Sequence, residues 1–131
     1  MNSQQLCRNY LNAMNEGDAD KVLALFEAGA VVVSPLYGTM QAERFYRDLF
    51  ADTDRSDTTL LNVFDASNDS SSVALHFHYA WTLKSGKVVN FECVDVFKLT
   101  PARDKFTKLT IIYDTAPLRA DFNETHALRE G

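Results

Sequence analysis

The sequence predicts an α+β fold in which helices come first and cover one face of a long antiparallel sheet. Two observations lead there. In the first third of the chain, apolar residues recur at helical spacing. From about residue 58 onward the pattern becomes strand-like, with short links rich in turn residues, which reads as a meander. Helices followed by strands make a layered α+β domain, with the helices on one sheet face.

The first helix is expected from Ser3 to Glu16, with Leu6, Tyr10, Leu11 and Met14 as its apolar stripe. Gly17 suits the left-handed position just past its end, and Asp18 caps a second helix. That helix carries Val22, Leu23, Leu25 and Phe26 and ends at Gly29. A short strand follows from Ala30 to Ser34, stopped by Pro35, which has no donor for a ladder. A third helix opens at Thr39, with Ala42, Phe45, Tyr46, Leu49 and Phe50 inward, and Ala51 to Asp57 is a polar loop. Strands are expected near 58–66, 73–83, 87–99 and 106–115. Ser67 to Ser72 and Lys84-Ser85-Gly86 serve as turns. Leu118 to Gly131 reads as a polar tail of one or two helical turns.

A chain of 131 residues is one domain, 1–131, long enough to bury a core without staples. Hydrophobic residues make up 46% and charged residues 24%, as in globular proteins. The net charge is −5 and the basic residues are scattered, so the clustered cations of a nucleic-acid surface are missing. No apolar run reaches the length of a membrane span, and no basic-then-apolar leader precedes the first helix. The expected compartment is the cytosol. Cys7 and Cys93 are expected as two reduced, buried thiols rather than a disulfide.

Strand side chains alternate between faces. In residues 75–83 one face carries His76, His78, Ala80 and Thr82, and the other carries Phe77, Tyr79 and Trp81. After the turn, Val89, Phe91, Cys93 and Asp95 share a face, opposite Val94 and Val96. The expectation is a pocket on the face with the imidazoles and Asp95. The face with Phe77, Tyr79, Trp81, Val94, Val96, Leu109, Ile111 and Tyr113 is then apolar and needs cover. A symmetric homodimer supplies it.

Several residues together carry a family resemblance: Tyr10 with Gly17-Asp18, the Phe26 to Ser34-Pro35 segment, Gly38 with Phe45-Tyr46-Arg47, and Cys93-Val94-Asp95-Val96-Phe97. Over residues 3–116 the chain resembles the nuclear transport factor 2-like superfamily, in its ketosteroid isomerase-like and polyketide cyclase-like (SnoaL-like) branch. The resemblance implies a curved sheet wrapped around N-terminal helices in a cone-shaped, cystatin-like barrel, with a deep pocket and a dimer on the outer sheet face. It also implies site residues. The oxyanion-hole tyrosine of the isomerases matches Tyr10, their protonated aspartic acid matches Asp95, and a supporting tyrosine matches Tyr46. Their carboxylate base falls on Ser34, and serine does not shuttle protons as a carboxylate does. Steroid isomerisation is therefore not expected.

Other groups are candidates for the missing base. Asp114 shares a face with Thr110 and Ile112, and resembles an acid/base aspartate of some polyketide cyclases in the superfamily. Its other reading is a turn residue bonded to its own backbone. His78 is the second candidate, oriented by Asp95, or the two form a merely structural pair. His76 and His78 make a His-x-His pair with no third ligand at a supporting spacing, so no metal is expected. The residues imply no cofactor. Tyr10 and Tyr46 are core aromatics or oxygen donors into the pocket. Met14, Phe45, Ala80, Phe91, Cys93 and Ile112 complete the expected lining, and His126 is expected in solvent.

The leading expectation is a homodimer whose pocket binds a mostly apolar carbonyl compound and performs isomerisation, cyclisation or dehydration. Asp114 or His78 would move the proton while Tyr10 and Asp95 hold the oxygen. The alternatives are a non-catalytic ligand-binding or sensing module, and a dimerisation domain with a filled pocket.

Overall fold

The computed structural model describes residues 2–68 and 71–130. These residues form four helices and six strands. Helix α1 spans Ser3–Glu16, capped by the Asn2 side chain at one end. At the other end Gly17 takes φ 66°, a left-handed conformation that costs glycine little. Helix α2 is only Ala19–Leu23, capped by Asp18. Then come strands β1, Phe26–Ser34, and β2, Gly38–Gln41, and helix α3, Ala42–Ala51. The second half holds β3, Thr53–Asp65; β4, Ser72–Leu83; β5, Val88–Leu99; β6, Phe106–Ile112; and helix α4, Arg119–Glu130.

The strands make one open sheet in the order β2-β1-β6-β5-β4-β3. Neighbours are antiparallel except β1 and β6, which run parallel. β1 thus joins the meander only through its last strand. Helices α1 and α3 lie in the concave side. There Tyr10 meets Phe97 at 5.1 Å and Phe106 at 6.1 Å between ring centroids. Leu6, Leu75, Phe97, Phe106 and Leu109 are fully buried in the same core.

Several expectations are corrected. The apolar run after Asp18 leaves the helix at Leu23, and Phe26 already pairs with Phe106 in the sheet. Thr39 belongs to β2, because Ser34 and Gly38 pair across a tight turn, so α3 starts at Ala42. Most of the expected polar loop is strand, since β3 begins at Thr53. The tail is helix α4, with Leu118, Phe122 and Thr125 buried. Of the Ser67 to Ser72 turn, Asp69 and Ser70 lie outside the described residues, as does Gly131 of the tail.

The largest correction concerns faces. Thr82 pairs with Val88 at the turn, and counting back sets Phe77 opposite Cys93, Tyr79 opposite Phe91, and Leu75 opposite Asp95. Directly opposed residues share a face, so Phe77, Tyr79 and Trp81 point into the protein's own interior. His76, His78, Ala80 and Thr82 point outward. Strand β6 follows the same rule. Ile111 opposes Asp95 and faces in, while Ile112 opposes Val94, faces out and is 54% exposed. Large aromatic surfaces gain more from burial than imidazoles do, and that difference sets the faces.

Candidate functional site

The concave face ends in a cavity of about 40 Å³. Tyr10 and Met14 of α1, Phe45 and Leu49 of α3, and Ser34 and Tyr37 near the β1–β2 turn form one side. Phe77, Tyr79, Trp81, Phe91, Cys93 and Asp95 of β4 and β5, with Ile111 and Tyr113 at the end of β6, form the other. By the measure that gives one water roughly 10–15 Å³, the space holds about three waters or a ligand of a few heavy atoms.

At its closed end lies a chain of polar groups. The hydroxyls of Tyr10 and Tyr46 are 2.8 Å apart and both rings are buried. The Tyr10 hydroxyl also stands near enough to Asp95 to favour its charged form. Cys93 Sγ donates to Asp95 Oδ1 at 3.1 Å. Asp95 is 2% exposed. Burial lifts its carboxyl to about 7, against the opposing pull of Cys93 and Tyr10. Burial raises the Tyr10 and Tyr46 hydroxyls well above the usual phenol range, so both remain donors. Burial, reinforced by Asp95, raises the Cys93 thiol as well, which leaves it a proton donor rather than a nucleophile.

The remaining polar tips of the wall are already engaged. Tyr79 and Ser56 hydroxyls lie 2.8 Å apart, and Trp81 Nε1 donates to Thr53 Oγ1 at 2.8 Å. Ser34 Oγ accepts from the backbone amides of Leu36 and Tyr37. Among the described residues no buried side-chain nitrogen or oxygen lacks a partner.

Of the expected site residues, Tyr10, Met14, Ser34, Phe45, Phe91, Cys93 and Asp95 line the cavity, and Tyr46 stands directly behind Tyr10. His76, His78, Ala80, Ile112 and Asp114 do not. His76 bridges Asn62 and Glu92 on the outer face. His78 sits opposite Glu92 and shares no face with Asp95. Asp114 is exposed and accepts from the amide of Ala116, which is the turn role. Neither group lines the cavity. Among the described residues no cluster of His, Cys, Asp or Glu could hold a metal ion.

Sequence reasoning missed Tyr37, Leu49, Phe77, Tyr79, Trp81, Ile111 and Tyr113. The signal was available in the turn at Lys84-Ser85-Gly86. Once it fixes the register, Cys93 and Phe77 cannot occupy different faces. It also missed Asp52, a fully buried carboxyl just past α3. Tyr37 Oη donates to Asp52 Oδ2 at 2.5 Å, His126 Nδ1 lies 2.9 Å from the same oxygen, and Arg129 Nε donates to Oδ1 at 2.8 Å. His126, expected in solvent, is thus tied to the core.

This is a cone-shaped α+β domain with an aromatic cavity floored by a tyrosine–carboxyl pair. Residues 7–108 match the SnoaL-like domain, and the chain belongs to that family. Solved structures share the fold at low identity. A hypothetical protein with a ketosteroid isomerase-like fold from Catenulispora acidiphila, in complex with trimethylamine, is 14% identical. It superposes with a TM-score of 0.77 over 93% of this chain and 95% of its own. SalBIII, an epoxide hydrolase/cyclase-like enzyme of pyran ring formation in salinomycin, is 18% identical, with a TM-score of 0.72 over 85% and 89%. A nuclear transport factor 2-like protein of unknown function from Cytophaga hutchinsonii is 16% identical, with a TM-score of 0.70 over 90% and 95%. No curated protein matches the chain.

Proposed function

We propose that this protein binds a small, mostly apolar carbonyl compound in the cone and holds its oxygen on Tyr10 and Asp95. The observation that carries this is the buried Tyr46–Tyr10 hydroxyl pair beside the buried Asp95 carboxyl, which together border an otherwise apolar aromatic cavity. Below about pH 7 Asp95 carries a proton and donates to the oxygen beside Tyr10. Above it, the carboxylate repels the same oxygen.

The chemistry this arrangement supports is acid assistance. Two donors stabilise an oxygen that gains negative charge, as in a cyclisation or dehydration whose substrate brings its own nucleophile or leaving group. Isomerisation by proton abstraction lacks a dedicated base, because Ser34 stands where the isomerases carry theirs. The likeness to SalBIII supports a fold that accommodates cyclase-like chemistry. One observation favours a second reading, a non-catalytic ligand sensor: the wall's buried polar groups are mutually satisfied, and Asp95 is the single carboxyl among the lining residues.

The test is a titration with short ketones, read by fluorescence of Trp81, the single tryptophan, which lines the cavity. Affinity should fall as pH rises through about 7. Asp95→Asn, which still donates, should bind without that pH dependence. Tyr10→Phe should bind roughly tenfold more weakly. Ketones that fail to saturate at any pH, or a wild type indifferent to pH, would sink the proposal. NMR of the bound ketone after incubation separates enzyme from sensor.

A second copy of the chain is the partner we propose for the outer sheet face. Its support is an apolar strip in which Phe64, Ala74 and Val96 form one row and Val94 and Ile112 the next. Phe64 is 55% exposed.

A further inference from the structure

We infer that helix α4 is the size filter of this cavity, with Phe122 and the Asp52 clasp setting how long a guest can be. The inference rests on the ligand-binding reading above. Two cavity walls, Tyr37 and Trp81, are backed by α4. The Phe122 ring lies 5.1 Å from Tyr37, edge on, and 6.0 Å from Trp81. His126 stacks on Phe122 from behind at 5.3 Å. Helix α4 is thus one of the supports that fix these two rings in the wall.

The helix is held by side chains. Leu118 and Phe122 are buried, Thr125 Oγ1 donates to Ser85 Oγ at 2.9 Å, and Arg129 and His126 grip Asp52. Among the described residues no backbone hydrogen bond joins α4 to the sheet. An element attached this way opens locally at far lower cost than the sheet unfolds. The clasp also reaches the site directly. Asp52 holds the hydroxyl of Tyr37, and the Tyr37 ring is cavity wall. A volume of about 40 Å³ admits only short guests. One that grows toward Tyr37 and Trp81 must displace Phe122 or wait for α4 to lift.

The experiment uses the full chain and a series of methyl n-alkyl ketones, with Trp81 fluorescence as readout. In the wild type, affinity should climb about fourfold per methylene and then stop at a short chain length. Phe122→Ala, and separately Asp52→Asn, should move that limit to longer ketones, with the longest bound roughly tenfold or more tighter than in wild type. An unchanged limit in both variants overturns the inference. Collisional quenching of Trp81 by acrylamide needs no ligand. It should rise in both variants, and equal quenching in all three proteins overturns the role of α4. If no ketone binds any form while quenching rises, the carbonyl reading and the size filter fail together, and only the covering of Trp81 by α4 survives.

Discussion

Asp95 shows how one buried carboxyl links binding to stability. Its folded pKa is lifted to about 7 by burial, while in the unfolded chain it titrates near the ordinary value of about 4. Below pH 4 both states hold the proton and the burial carries no ionic penalty. Between about 4 and 7 the unfolded chain releases its proton first, so stability falls as pH rises. Asp95→Asn removes that dependence. Its stability relative to wild type should improve by a few kcal/mol from pH 4 to pH 7, measured by urea denaturation at each pH. Tyr10→Phe should raise the Asp95 pKa further, because the Tyr10 hydroxyl pulls it down. An unchanged value in carboxyl-carbon NMR on labelled aspartate would mean that Tyr10 exerts no such pull. Tyr10, Tyr46, Asp95 and Ser34 were legible in the sequence through the family pattern. Asp52 was not, because it stands alone after an amphipathic helix and gains two of its three side-chain partners, His126 and Arg129, from a segment more than seventy residues away in the chain.

Among the elements, β4 separates what periodicity tells from what it leaves open. Alternation in 75–83 shows two faces, but does not by itself say which one is inside. The choice needs register, and register needs the turn. Burial predicts a sharp asymmetry between neighbours. Phe77→Ala should cost about 3–5 kcal/mol as a core truncation, while His78→Ala should stay within about 0.5 kcal/mol. Equal losses in urea denaturation would mean the faces are wrong. In sequence, helix α4 reads as a polar tail, since charged residues such as Arg119, Asp121 and Glu124 dominate it. Its apolar contacts are carried by Leu118 and Phe122, too few to form a stripe. Asp52→Asn should speed amide exchange in α4 while leaving β4 and β5 protected. Uniform change across the chain would argue against a separately opening helix.

Taken whole, the molecule is an open sheet with a filled concave side and a partly apolar convex side. The fold class was legible because helices and strands occupy separate stretches of sequence. The parallel β1–β6 pairing was not, since no local signal joins residues so distant. If the convex face meets a second copy, Ile112→Lys should convert a dimer to a monomer without loss of helix or strand signal. Light scattering that shows the same mass for both forms would remove the proposed interface.

The parallel pairing also governs the timetable of synthesis. Residues 26–34 have only their own hairpin mate, β2, until residues 106–112 leave the ribosome. Strand β1 therefore waits for most of translation without its second neighbour, and distant pairings of this kind are slow to form. Nascent chains arrested before residue 106 should be digested by protease along their whole exposed length. Those released beyond residue 112 should resist it.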